Sequence, residues 1–164
     1  AARCRIAGFR KTRRGRGIRI RGGSARSYYI GIEAPAPAVP GMEPPLKAMC
    51  IAPFGMEEGT KQEISGQEID LCIWTGEPAV FRFLSSTTRR ADKPGQLFDV
   101  TPDEFEEHSP IETILGKPSD GSEGTAVEVD LRAELTDIGL LKLSCVDRQK
   151  GEAYLLELST RGAE

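Results

Sequence analysis

The stretch 27–60, SYYIGIEAPAPAVPGMEPPLKAMCIAPFGMEEGT, decides the fold of this chain. It joins an apolar strand, a proline-rich connector, a second apolar strand and an acidic turn. In the first strand Tyr28, Ile30 and Ile32 share one face, the period-2 pattern of a half-buried strand. Gly31 leaves a gap on the other face. A glycine there marks either a bulge or a close backbone approach, by a neighbouring strand or by an extended peptide.

The charge of the chain is divided between a basic start and an acidic remainder. The net charge is −3, but residues 1–32 hold nine Arg, Lys11 and no acid, whereas residues 33–164 carry 12 basic and 25 acidic side chains. Like charge and glycine oppose independent folding of an arm at residues 1–27. Three interpretations stay open: a solvated linker after a preceding domain, a phosphate-binding arm, or an edge strand at Ile18–Ile20. Because the arm offers few aromatics, nucleic acid is the less favoured partner.

Four cysteines, Cys4, Cys50, Cys72 and Cys145, are scattered without a C-x-x-C pair, so the sequence predicts neither zinc nor any other metal site. The last three lie in strand patterns and are predicted to be small buried hydrophobes, in a reducing, cytoplasmic setting. No apolar run approaches the ~20 residues of a membrane span. The opening Ala-Ala, in place of Met, predicts a piece of a longer protein.

The connector at 34–45 contains five prolines, which stiffen it into an arch. Short strand patterns separated by turn residues follow at 45–54, 60–65, 68–75, 79–86, 96–100, 110–116, 126–134, 140–145 and 152–158. The clearest alternation, at 126–134, places Val127, Val129, Leu131 and Ala133 inside. This pattern predicts an all-β fold, an antiparallel β-sandwich.

One helix is predicted, at 101–108, where Thr101-Pro102-Asp103-Glu104 forms a capping box with proline at the first helical position. The acids there are typical of a solvated helix start. His108 is the only histidine, and Ser, Cys and His form no triad pattern. The sequence therefore predicts no enzyme and no catalytic residue in these 164 residues.

Several strands resemble, in the same order, the substrate-binding β-domain of the DnaK-type chaperones, the heat shock protein 70 family. IGIE at 30–33 resembles that domain's opening L-G-I-E, and IDLCIWTGE at 69–77 is similar to its V-x-I-x-V-x-Q-G-E. Ala91-Asp92 with Leu97-Phe98 looks like its A-D-N…L-G-x-F segment. VEVDL at 127–131, GLLKLS at 139–144 and residues 147–151 resemble its closing hairpins. The resemblance covers roughly residues 28–160, which we take as the domain, with 161–164 as a tail.

The sequence departs from the family pattern in four places. The acidic-apolar interdomain linker is replaced by the basic arm, a strand at 78–86 is inserted, the loop at 65–68 is shortened, and no helical lid follows. The resemblance implies that an ATPase domain, and with it the ATP site, lies upstream. It implies no cofactor for this fragment.

The resemblance also implies a groove for extended hydrophobic segments of client proteins. Its lining would be Ile32, Ile64, Ile69 and Leu71, and the shortened loop at 65–68 would leave it less covered. Partners would be client peptides and the chain's own ATPase domain. The residues themselves leave two alternatives open: these positions are packed core, or the sandwich is a scaffold whose arm docks nucleic acid or an acidic partner.

Overall fold

Twelve β-strands make up the regular structure of the part of the chain that is described. The computed structural model describes residues 22–33, 39–42, 45–64, 70–116 and 125–159, and within them it contains strands and no helix. The strands are β1 Ser27–Glu33, β2 Leu46–Ala52, β3 Thr60–Ile64, β4 Leu71–Thr75, β5 Pro78–Phe81, β6 Phe83–Ser86, β7 Leu97–Asp99, β8 Glu106–Glu107, β9 Ile111–Ile114, β10 Thr125–Leu135, β11 Leu140–Asp147 and β12 Ala153–Ser159. The predicted all-β class is confirmed.

Two five-stranded antiparallel sheets form the body. The first has the order β7-β2-β1-β6-β8, and the second has β12-β11-β10-β3, with β4 also paired to β10. Strand β10 is long enough to pair with β4 through Thr125 to Val129 and with β3 through Leu131 to Leu135. Strands β5 and β9 form a separate antiparallel ribbon.

Both sheets contribute to one hydrophobic core, as a sandwich requires. The first sheet supplies Ile30, Met49 and Ile51, and the second supplies Ile64, Leu71, Val129, Leu131, Leu141, Leu143 and Leu156. The alternation predicted for β10 is confirmed: Val129, Leu131 and Ala133 are buried, whereas Glu128 and Arg132 are exposed. Burial of these apolar areas is the main stabilising contribution of the fold.

Strand β1 is covered on both faces, not on one. Tyr28 and Ile30 face the main core, as predicted, but Tyr29 is fully buried in a second cluster with Ala48, Cys50, Leu84 and Phe105. The segment after β6 folds over the outer face of the first sheet and supplies this cover.

The two sequence interpretations of Gly31 are resolved by its contacts. The register of β1 on β2 shifts between Tyr28 and Tyr29, so the irregularity lies before Gly31 and not at it. At Gly31 itself the neighbouring chain approaches closely: its N–H donates to the Arg82 carbonyl at 2.8 Å, and an added Cβ would stand 3.2 Å from both Arg82 Cβ and Leu46 Cδ1. The approaching object is the chain that follows β5.

The single strand predicted for 79–86 is wrong, because the chain changes partners at Arg82. Strand β5 pairs with β9, and β6 pairs with β1 in the first sheet. Between them Arg82 is held by Glu107 through two hydrogen bonds of 2.6 and 2.9 Å. The inserted segment therefore bridges the ribbon and the first sheet.

The helix predicted for 101–108 is also wrong. Residues 102–104 form a turn, Phe105 is buried, and Glu106–Glu107 pair with β6. The Thr101 carbonyl accepts from the N–H of Glu104 and of Phe105. Burial of Phe105 against the Tyr29 ring, with ring centroids 4.9 Å apart, outweighs the local helix signal.

The end of the basic arm is attached to the body. Gly23 forms an isolated bridge with Glu57, Ser24 N–H donates to the Met56 carbonyl at 3.0 Å, and Arg26 pairs with Glu106. These contacts attach residues 23–26 to the body and leave the three interpretations of the arm as predictions. Residues 1–21, including Ile18–Ile20, lie outside the described residues. In the part of the chain that is described, no helix has the length and hydropathy to cross a membrane.

Candidate functional site

An apolar cleft of about 520 Å³ opens at one side of the sandwich. Its floor consists of core side chains from both sheets, and its walls come from β1, β4 and β5. The lining residues are Ile30, Gly31, Ile32, Glu33, Leu46, Asp70, Leu71, Cys72, Ile73, Trp74, Ala79, Val80, Phe81, Arg82, Val129, Leu131 and Cys145. The volume falls within the range of about 300 to 1,000 Å³ that is typical of ligand pockets.

One wall of the cleft is strand β4. Leu71 and Ile73 point into the core, whereas Cys72 and Trp74 point outward, and Trp74 is 55% exposed. All four side chains border the same cleft together with Asp70. Consecutive residues of a strand point to opposite faces, so the cleft runs along the edge of β4.

The opposite wall is built from the end of β1, the start of β2 and the β5 strand. Because Gly31 has no side chain, the chain at Arg82 can approach β1 closely enough to form this wall. Val80 is 58% exposed, and Phe81 is partly buried against the main core. The wall therefore presents apolar surface from its rim to its floor.

Carboxylates and guanidinium groups ring the opening. Glu33 and Asp70 line it, and so does Arg82. The Arg82 hydrogen bonds lower the pKa of Glu107. Arg148 donates to Asp70 and to Asp130, each at 2.9 Å, so the charge of Asp70 is compensated. Glu33 has no ion pair within the described residues, which leaves the rim with negative charge.

Two of the four predicted groove residues meet in this cleft. Ile32 from the first sheet and Leu71 from the second line it from opposite sides. Ile64 does not: it is 1% exposed and pairs with Leu131, one inward position along β10 from the Val129 that pairs with Leu71. Ile69 lies outside the described residues, as do the shortened loop at 65–68 and most of the arch at 34–45.

Sequence reasoning missed the residues that make the cleft accessible, chiefly Trp74, Val80 and Arg82. Trp74 carried a signal, since a large apolar side chain occupies the outward position of an alternating strand. Cys72 occupies the same outward face and is exposed, so the prediction that it is buried is wrong. Cys50 and Cys145 are buried, as predicted.

A separate cluster of polar and aromatic side chains lies away from the cleft, on the outer face of the first sheet. We call it the Arg89 cluster: Tyr29, Arg89, Asp92, Phe98, Glu104 and Phe105. The Arg89 guanidinium lies 4.3 Å from the Phe98 ring centroid, donates to Asp92 at 2.6 Å and also pairs with Glu104. Tyr29 Oη donates to Asp92 at 2.6 Å. Burial and this hydrogen bond raise the pKa of Tyr29.

His108 is held by a neighbouring serine. Its Nε2 lies 2.8 Å from Ser85 Oγ, to which Arg26 also donates at 3.1 Å. Ser85 is fully buried, so this arrangement secures β6 and β8 and presents no accessible nucleophile. Across the ranges described, no group of three or more His, Cys, Asp or Glu side chains is placed to hold a metal ion.

The sequence was compared with models of protein families and with curated proteins. No family model matches the chain, and no curated protein matches it.

Proposed function

We propose that this domain is a peptide-binding module of a DnaK-like molecular chaperone, which holds extended hydrophobic segments of client proteins in the cleft between β1, β4 and β5. One observation carries the proposal: the apolar cleft is open to solvent, and Ile32 and Leu71 line it from different sheets. An all-β antiparallel sandwich is compatible with the substrate-binding domain that the resemblance implies.

The physical basis of binding is burial of an aliphatic side chain against the cleft floor. Each buried methylene contributes about 0.8 kcal/mol, but an extended peptide loses conformational freedom when it is ordered. We expect dissociation constants in the roughly micromolar to millimolar range. ATP would act only through the upstream domain that the resemblance implies, in a cytoplasmic protein.

Binding can be tested with short fluorescent peptides that carry a central leucine, by anisotropy on the full chain. Ile32→Asp and Val80→Asp each place a charge in the cleft and should weaken binding at least tenfold, because burying an unpaired carboxylate is costly. Ile138→Asp is the matched control: Ile138 is 67% exposed in the turn between β10 and β11 and does not line the cleft. Its binding should equal that of the wild type.

Circular dichroism separates loss of the site from loss of the fold. Val80 is exposed, so Val80→Asp should stay folded even where Ile32→Asp does not. A wild-type chain that binds no such peptide at millimolar concentration would refute the chaperone proposal. The sandwich would then be better regarded as a scaffold or docking module.

A further inference from the structure

Strand β4 has one edge paired to β10 and another that borders the cleft. The hydrogen-bond directions of β10 show which residues face which way. The Glu128 carbonyl accepts from Arg148 N–H, next to β11, whereas the Leu135 carbonyl accepts from Gly59 N–H, next to β3. Odd-numbered residues of β10 therefore direct their backbone groups toward β3 and β4.

This alternation fixes the backbone groups of β4 as well. Leu71 and Ile73 pair with the odd-numbered Val129 and Val127, so their N–H and C=O groups face β10. Cys72 and Trp74 direct theirs to the opposite side, into the cleft. Within the described ranges these four groups have no hydrogen-bond partner. An edge of this kind is a template for another strand.

The surroundings of this edge suit an extended main chain. The free part of β4, from Cys72 to Trp74, spans about 10 Å, the length of three strand residues. Every second side chain of an added strand would meet the floor at Ile30, Val129 and Leu131. Strand β12 is also at the edge of this sheet, but the β4 edge is the one that borders the cleft.

The charge of the rim limits the kind of peptide that the cleft would bind. Glu33 is uncompensated among the described residues, while Arg82 and Arg148 are already held by carboxylates. Residues 33–164 carry 12 basic and 25 acidic side chains, a net −13. A neutral or basic segment is therefore favoured over an acidic one.

We propose that the cleft binds its peptide by strand addition: a neutral or basic segment with aliphatic residues at every second position pairs with the backbone of Cys72 and Trp74. This mode rests on the peptide-binding function proposed above and gives that function its specificity. Main-chain hydrogen bonds supply affinity for any sequence, and the floor selects the alternate aliphatic side chains.

The test uses an end-capped peptide of sequence Lys-Ser-Leu-Thr-Leu-Ser-Lys and two N-methylated versions, one at the central threonine and one at the leucine before it. In a strand, neighbouring residues direct their N–H groups to opposite sides. One of the two N-methyl groups should weaken binding about tenfold or more, and the other should change it less than about threefold. The sensitive position reports whether the added strand is parallel or antiparallel.

Two variants test the same contact from the protein side. Trp74→Pro removes one of the two N–H groups that face the cleft and leaves intact the backbone groups that pair with β10, at a position where edge strands tolerate proline. It should weaken the unmodified peptide about tenfold. Trp74→Ala also removes the indole but keeps the N–H, so it should weaken binding less than Trp74→Pro, and the difference between the two variants reports the N–H alone. Circular dichroism checks that both are folded.

Amide exchange supplies the direct readout. In the free chain Cys72 and Trp74 should exchange faster than Leu71 and Ile73, and saturating peptide should slow the first pair only. If the peptide binds but both N-methyl versions bind alike, strand addition is overturned while the cleft remains a binding site. If no version binds, both proposals fail. Protection of Cys72 and Trp74 without peptide that rises with protein concentration would assign the edge to a second copy and overturn the proposal.

Discussion

Arg89→Ala should destabilise this domain far more than the same change at its neighbour Arg90. The Arg89 side chain is 23% exposed and that of Asp92 only 11%, and the guanidinium lies 4.3 Å from the Phe98 ring centroid and 5.4 Å from that of Phe105. Its removal leaves the Asp92 carboxylate without its cation in a partly buried site. Removing one partner of a buried pair costs about 3 to 5 kcal/mol, and partial exposure places the expected loss at the lower end, about 3 kcal/mol.

Arg90 is the matched control because it is exposed and, among the described residues, contacts a single ring, that of Phe54, at 4.7 Å. Arg90→Ala should cost no more than about 1 kcal/mol. Urea unfolding followed by circular dichroism measures both. In a double-mutant cycle, Asp92→Ala should cost less in the Arg89→Ala background than in the wild type. Equal losses at Arg89 and Arg90, or a cycle without coupling, would refute the account of the Arg89 cluster.

The remaining predictions concern the core and the cysteines. Leu143→Ala should lower the free energy of unfolding by roughly 2 to 5 kcal/mol because Leu143 is 1% exposed. In the same urea titration Glu128→Ala, on the outer face, should change it by no more than about 0.5 kcal/mol. The reverse order would show that the register of β10 and β11 is wrong. In the native chain an alkylating reagent mapped by mass spectrometry should modify the exposed Cys72 well before Cys50 or Cys145. Burial raises the pKa of Cys50 and of Cys145 from 9.0 to about 12. The unfolded chain therefore loses these protons first, and unfolding free energy should fall as pH rises from about 9 toward 12; an unchanged urea midpoint between pH 8 and pH 11 would contradict this.

Local alternation was sufficient to predict the strands of the second sheet. In β10 the predicted inward residues Val129, Leu131 and Ala133 are buried, because a period-2 pattern over nine residues leaves one register that buries its apolar face. Leu135, which is also buried, lies just beyond the predicted strand. The turn at Thr136–Gly139 and the β11 strand that follows it were predicted for the same reason. Strands β10, β11 and β12 pair with their chain neighbours, so short-range signals suffice there.

The outer layer of the first sheet was not predictable in this way. The Tyr29 hydroxyl donates a hydrogen bond to Asp92, 63 positions later in the sequence. In the sequence alone, Arg89 is typical of a surface charge in a polar loop. Arg89 is partly buried because Phe98 and Phe105, from later segments of the chain, pack against it, and no local sequence pattern predicts those contacts. The helix predicted from the capping box at Thr101 is wrong for the same reason, because the tertiary contacts of Phe105 override a weak helix propensity.

The cleft was predictable in part. The resemblance named Ile32 and Leu71, which line it, but placed Ile64 beside them. Ile64 instead is buried in the main core, because β3 and β4 lie one after the other on the same side of β10 and Ile64, in β3, does not line the cleft. The change of strand partner at Arg82, which forms the opposite wall, could not be predicted without knowing that β5 and β6 join different sheets.

Stability and the proposed binding depend on different residues of β4 and β5, and this decides which variants are informative. Leu71 is 8% and Ile73 9% exposed, so both are already buried by folding and a charge at either would unfold the domain. Trp74 is 55% and Val80 58% exposed, so little of the folding free energy depends on them. Loss of binding in a Leu71 variant would therefore be ambiguous. Loss of binding in a folded Val80 or Trp74 variant can arise only at the cleft and its β4 edge, because these side chains contribute surface to the site and little to the core.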